Sequence, residues 1–187
     1  MSASSFCDYA VSGPLPKCNL SECPDLFANE GGNAQAHYSS CRSGGHNDHA
    51  QCFHLSRAAD DRVVGFAAVN KKLADLDDIL EAWISVDYLY VLAEERGHGR
   101  SRLLRDVVYR YISRWLAEVV DGLKGWQTLR VMSASNIESA SGRAFMEKLE
   151  CELLDYCEMN SLVFVSTTRR TQPPRAYRQI LETASTK

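Results

Sequence analysis

Residues 88–104 read Tyr-Leu-Tyr-Val-Leu-Ala-Glu-Glu-Arg-Gly-His-Gly-Arg-Ser-Arg-Leu-Leu. The first five are aromatic, β-branched or aliphatic, the composition of a buried strand. From Leu103 on, Leu104, Val107, Val108, Ile112, Trp115, Leu116 and Val119 recur at steps of three and four, the spacing of a long helix that buries one face. Asp121-Gly122 ends that helix. Between strand and helix lie Arg96, Gly97, His98, Gly99, Arg100, Ser101 and Arg102. A helix start presents unpaired backbone N–H groups and partial positive charge. Two glycines let the backbone close on a ligand, and three arginines add formal charge. The segment is a candidate cradle for phosphate oxygens. It is neither of two better-known phosphate loops, because G-x-x-x-x-G-K-[ST] and G-x-G-x-x-G are both missing from the chain.

Working outward, residues 51–56 and 62–69 read as strands of an antiparallel hairpin turned at Asp60-Asp61. Leu73, Leu76, Ile79 and Leu80 fall at helical spacing, with Asn70 as a cap, and predict a short helix over residues 71–81. Residues 83–92 form the most strand-like stretch. After the long helix come a strand over residues 128–132, a second amphipathic helix over 141–150, and strands over 151–158 and 162–166. Pro173-Pro174 then breaks the chain before a short helix over 177–184. Residues 25–37 could form another. The order fits an α/β chain with a mixed sheet flanked by helices.

The chain has 187 residues, one domain's worth, with a net charge of -3. That balance excludes a strongly basic coat for nucleic acid. Three parts follow: a Cys/His-rich segment over residues 1–50, a regular core over 51–168, and a basic tail over 169–187. No apolar run reaches the length of a membrane span, and the first residues lack a secretion signal. A soluble, cytoplasmic protein is expected. Seven cysteines in such a setting read mainly as free thiols. Cys18, Cys23, His37, Cys41, His46, His49, Cys52 and His54 offer enough ligands for zinc, but none forms a paired C-x2-C. Zinc is the weaker reading beside free thiols and loop histidines.

The run from Tyr88 to Leu104 resembles the acetyl-CoA signature of the GNAT (GCN5-related N-acetyltransferase) superfamily: a strand ending in L-x-V, then [QR]-x-x-G-x-[GA] at a helix start. Arg96, Gly99 and Ser101 hold its fixed positions, Ser101 replacing Gly or Ala. The resemblance covers about residues 50–165. It implies a central, mostly antiparallel sheet with a splayed parallel strand pair, flanked by helices, around residues 51–168. It also implies acetyl-CoA as cosubstrate. The backbone of Tyr90 and Val91 would bond the pantetheine arm, the N–H groups of residues 97–102 would hold the pyrophosphate, and Ser139 would lie beside the cofactor. The first 50 residues would then belong to the acceptor side.

A second family motif, N-x-x-A-x-x-[LF]-Y-E-K-L-G-F, is matched in part by Phe145, Glu147, Lys148 and Leu149. Met146 stands where the family's tyrosine protonates the leaving thiolate, and methionine donates no proton. Three readings stay open: transfer without that acid, another donor such as Tyr156, Ser139 or Cys157, or a catalytically silent module that binds CoA or a protein. Deprotonating the amine calls for a carboxylate. Asp87, on the strand before the loop, is favoured over Glu81. The implied activity is direct transfer of acetyl to a primary amine in a ternary complex. The acceptor could be a small molecule, a protein or aminoacyl-tRNA. The last rests on the stretch from Cys23 to His37, which weakly resembles GNAT toxins that act on charged tRNA, and on the basic tail, which would suit a tRNA backbone; those toxins normally keep the tyrosine that is Met146 here. A homodimer through the C-terminal strands and tail is a further expectation, and no membrane partner is.

Overall fold

The structure, a computed structural model, describes residues 8–15, 51–125, 127–137, 140–167 and 169–170. Six strands form one sheet: β1 (Tyr9–Leu15), β2 (Gln51–Arg57), β3 (Val63–Leu76), β4 (Ile79–Val91), β5 (Thr128–Ser133) and β7 (Val163–Ser166), side by side in that order. β6 (Asn136–Ile137) and β8 (Arg169–Arg170) form a second, two-stranded sheet. The first four strands run antiparallel to their neighbours, while β4–β5 and β5–β7 are parallel. α1 (Arg100–Asp121) and α2 (Ala140–Met159) supply the crossovers that parallel strands require. This is the mixed, mostly antiparallel architecture that the resemblance implies.

The core follows from the periodicities. Leu104, Val108, Ile112 and Leu116 on α1 are fully buried, one turn apart. They pack over β2 and β3, whose Phe53, Leu55, Val64, Ala67 and Val69 are equally buried. Phe53 meets Tyr111 edge to face at 5.3 Å.

Two elements differ from the sequence expectation. Residues 71–81 are not a helix. β3 and β4 run on as one long hairpin, paired from Gly65↔Val91 to Leu76↔Ile79, and turn through Asp77 at φ 58° and Asp78. The leucines that mimic a helical repeat instead alternate along strands. Leu73 and Leu76 are left exposed at 47% and 51%, near the hairpin tip. Residues 151–158 are not a strand either. They extend α2, on which Leu149, Leu153 and Cys157 are fully buried at four-residue steps. β1 and the short β6 and β8 are additional strands. The expected helices over 25–37 and 177–184 lie outside the described residues, as does most of the Cys/His cluster.

Cys52 is disulfide-bonded, while Cys151 and Cys157 are free. Burial pushes the Cys157 thiol up to about 11, and Cys151 is exposed. Iodoacetamide at pH 8 should therefore label Cys151 in the folded protein and spare Cys157 until denaturant is added, as read by peptide mass spectrometry. Equal labelling of both would show that the α2 face is not buried.

Candidate functional site

The sheet forks. β4 and β5 stay paired from Ile79↔Thr128 to Ile84↔Ser133, and the Ala134 N–H still reaches the Ile84 carbonyl at 2.9 Å. From Val86 on, β4 keeps only β3 as a strand partner among the described residues. The other arm continues as a pair: Asn136↔Arg169 keeps the register offset of Arg130↔Val163. β6 and β8 thus prolong the β5–β7 ladder away from β4. On the β3 side, Ala68 pairs with Tyr88 and Val69 with Val86, so Asp87 is the extra residue of a bulge. A bulge bends its strand and sharpens the twist, which suits a strand leaving its neighbour. At the crotch, the Val86 N–H donates to Ser135 Oγ at 3.2 Å. The side chain satisfies a donor that the parting strand no longer can.

Past the fork, β4 runs into the glycine loop. After buried Leu92 come a single 3-10 turn (Ala93–Glu95) and then Gly97 at φ 77° and Gly99 at φ 73°. A side chain at either position would be strained by the left-handed backbone. Neither would meet an atom of the described residues within 4 Å. Gly99 is the N-cap of the 22-residue α1, with no side-chain cap and no acidic residue in the first turn. A ligand with negative oxygens is the natural complement of such a helix start. Ser101, in that turn, is half-buried.

The four cations of the loop divide. Arg96 donates from Nε to the Val91 carbonyl at 2.8 Å, and its guanidinium lies 5.3 Å from the Tyr90 ring. It ties the loop to the end of β4. His98 and Arg102 are exposed, with Arg102 Nε 3.8 Å from Asp106. Arg100, by contrast, turns inward. It is 8% exposed, lies 3.7 Å over the Tyr9 ring, and approaches Glu95 at 3.5 Å. Buried Glu95 also accepts from the Tyr9 hydroxyl at 2.8 Å and lies 3.5 Å from Arg57. Burial and this hydrogen bond raise the Tyr9 hydroxyl above its ordinary range. One carboxylate therefore fastens the loop and the start of α1 to β1 and β2.

The candidate acid–base residues lie apart. Asp87 is half-buried at the fork and accepts from the Ser85 hydroxyl at 2.7 Å. Glu81 lies six residues earlier on β4, about 20 Å away. It is held by Arg130 at 3.1 Å and Trp83 Nε1 at 2.9 Å. Tyr156 sits ten residues beyond Met146 on α2, about 15 Å along the axis. Its hydroxyl is raised above the ordinary range, first by burial and then by Cys157, Tyr109 and Asp121. The structure thus brings Asp87 to the fork with Tyr90, Val91 and the glycine loop, and leaves Glu81 and Tyr156 elsewhere. Ser139 lies outside the described residues.

Met146 is buried at the fork, where the Ser135 hydroxyl donates to its Sδ at 3.7 Å. Ser135 was not among the sequence candidates. Its neighbours Ala134 and Asn136 carry no motif, and only the parting of β4 from β5 makes it central. Glu150, one turn beyond Met146, accepts from buried Ser133 at 2.9 Å and from Ser166 at 2.8 Å. That contact fastens α2 to the β5–β7 arm. Among the described residues, no group of three or more side chains is placed to hold a metal, and no helix is long and apolar enough to cross a membrane.

No family model matches the chain, and no curated protein sequence does. It is similar to solved structures of low identity. One is AtaT complexed with acetyl-methionyl-tRNAfMet, 13% identical over 76% of this chain and 85% of that one, with a TM-score of 0.48. Another is a ribosomal-protein-alanine N-acetyltransferase from Brucella melitensis biovar Abortus 2308, 22% identical over 76% and 90%, with a TM-score of 0.42. A third is the glucosamine-6-phosphate N-acetyltransferase of Arabidopsis thaliana, 14% identical over 75% and 89%, with a TM-score of 0.39. At such values a shared activity does not follow from likeness.

Proposed function

We propose that this chain is an acyl-CoA-dependent N-acyltransferase of the GNAT superfamily, transferring acetyl from acetyl-CoA to a primary amine by direct attack in a ternary complex. The observation that carries the reading is the fork: β4 parts from β5 beyond Ile84 and leads, through the loop, into a helix start with no side-chain cap and two left-handed glycines. The residues suit the cosubstrate. The stretch from Val86 to Val91, where β4 has parted from β5, is the segment suited to run alongside the amide-bearing pantetheine arm as an added strand would. The loop from Arg96 to Arg102 can receive the pyrophosphate, with no atom of the described residues crowding Gly97 or Gly99. Arg96 and Arg102 are the exposed arginines of the loop that can add charge.

In the transfer, a C–N bond forms, the C–S bond breaks, CoA departs as a thiol, and the amine loses a proton. Holding both substrates in the fork supplies much of the acceleration. Asp87 is the candidate to take the amine proton, directly or through water, since it is the carboxylate at the fork. Ser135 is the candidate to donate to the sulfur. Its proton is held by a thioether, a weak acceptor, so it can turn toward a developing thiolate. Ser135→Ala should lower kcat on the order of 10²-fold, with the affinity for acetyl-CoA unchanged by titration. An equal loss of binding would make Ser135 a purely structural residue.

The reading itself is tested by calorimetric titration with acetyl-CoA, together with free-thiol release in the presence of small amines, peptides and aminoacyl-tRNA. Binding with turnover supports it, and no binding at millimolar acetyl-CoA sinks it. A second reading, a module that binds CoA and transfers nothing, is favoured by one observation: a buried methionine occupies the crotch of the fork. It predicts binding without thiol release for any acceptor.

A further inference from the structure

The sheet has an open edge among the described residues, diagonally opposite the fork. β2 pairs with β3 only as far as Gln51↔Val69, whereas β3 continues to Leu76 against β4. Beyond Val69, no strand among the described residues lies against the outer side of β3. Residues 70–76 thus present a row of backbone donors and acceptors about 24 Å long. Such an edge is a template for another strand, and proteins that avoid pairing guard it with proline, a bulge or charged side chains, lysine above all. This stretch, Asn70-Lys71-Lys72-Leu73-Ala74-Asp75-Leu76, has no proline, and its charges are of both signs. Its large apolar side chains stand in solvent, Leu73 at 47% and Leu76 at 51% exposed.

We infer that residues 70–76 form the two-fold interface of a homodimer, in which β3 of a second copy adds antiparallel to β3 of the first. The sequence is self-complementary about Leu73. Centred there, Lys71 lies opposite the partner's Asp75 on both sides of the axis, and Leu73 lies opposite the partner's Leu73. Strand alternation puts Lys71, Leu73 and Asp75 on one face. That face carries α1, because Lys71 Nζ lies 4.4 Å from the Tyr111 ring and 5.0 Å from that of Trp115. A charge pair formed there has an apolar flank. Opposite charges directly across a ladder stabilise it, and like charges weaken it. The pairing lies at the end of β4 remote from the fork, so it leaves the glycine loop clear. It does not depend on the acyltransferase reading.

Sedimentation velocity of the full chain over a concentration series should show a monomer–dimer equilibrium. Asp75→Lys places lysine opposite lysine twice and should raise the dissociation constant at least about tenfold. Lys71→Asp combined with Asp75→Lys should restore it. Hydrogen exchange at residues 70–76 should slow as the dimer fills. Leu73→Lys, at an exposed position, should also dissociate the dimer, with an unchanged circular dichroism spectrum showing that the fold persists. A monomer throughout would overturn the inference. So would a dimer indifferent to Asp75→Lys whose exchange protection falls on Tyr9–Leu15 or Val163–Ser166, the two outer strands of the sheet.

Discussion

Gly99→Glu should fold normally and bind acetyl-CoA at least about 100-fold more weakly than the wild type. The folding cost is small. A non-glycine residue in the left-handed region costs roughly 1–2 kcal/mol, and a Cβ at Gly99 meets nothing among the described residues within 4 Å. The binding cost is large for an electrostatic reason. The N-terminus of α1 carries partial positive charge that favours an anion, and a carboxylate built onto the N-cap would occupy that field itself. It would then repel the pyrophosphate at close range. Gly99→Ala separates the two effects, since it adds the backbone strain without the charge. Calorimetry should show a modest loss for alanine and a near-complete loss for glutamate, with melting curves that differ little. Binding by Gly99→Glu within a few-fold of wild type would mean that acetyl-CoA does not use this loop.

Glu95→Ala should lower stability by about 3–5 kcal/mol, because it leaves the Arg100 charge buried without its carboxylate. Both side chains are only 8% exposed, so solvent screens the loss little. The Arg57 contact, at a side chain one third exposed, adds little to this sum. For a domain of this size, the corresponding fall in Tm is on the order of 10 °C. Glu95→Gln keeps an acceptor for the Tyr9 hydroxyl and should cost less. Thermal denaturation of the three proteins tests the ranking. If Glu95→Ala melts within 2 °C of wild type, a value well inside the expected shift, water reaches Arg100 and the loop is fastened by other contacts. The same variant should loosen the start of α1, so its acetyl-CoA affinity should fall as well.

What was legible in the chain from the start is what local physics governs. The strand over residues 88–91, the loop glycines and the 22-residue α1 with its ending at Asp121-Gly122 all follow from neighbours in sequence. Phosphate binding at a helix start depends on N–H groups and φ angles within a few residues, so it shows without any knowledge of the fold. The misreadings have the opposite character. A stretch with Leu73, Leu76, Ile79 and Leu80 has helical spacing, yet hairpin pairing with β4 and the parallel ladder to β5 prevail. Residues 151–158 hold enough apolar groups for a strand, but packing of Leu153 and Cys157 in the core decides for helix.

Sequence alone thus determined the glycine loop from Arg96 to Arg102 and its place between a buried strand and a long helix. Tertiary structure alone decided which loop cation faces inward, since Arg100 is claimed by Glu95 and Tyr9, both distant or on other elements. It decided that Asp87 stands at a bulge beside the fork while Glu81 is neutralised by Arg130 on the next strand. It brought Ser135 and Met146 together at the crotch. The physical reason is common to all three: burial, ion pairing and strand parting depend on how separate elements pack against one another, and no spacing along one segment encodes that.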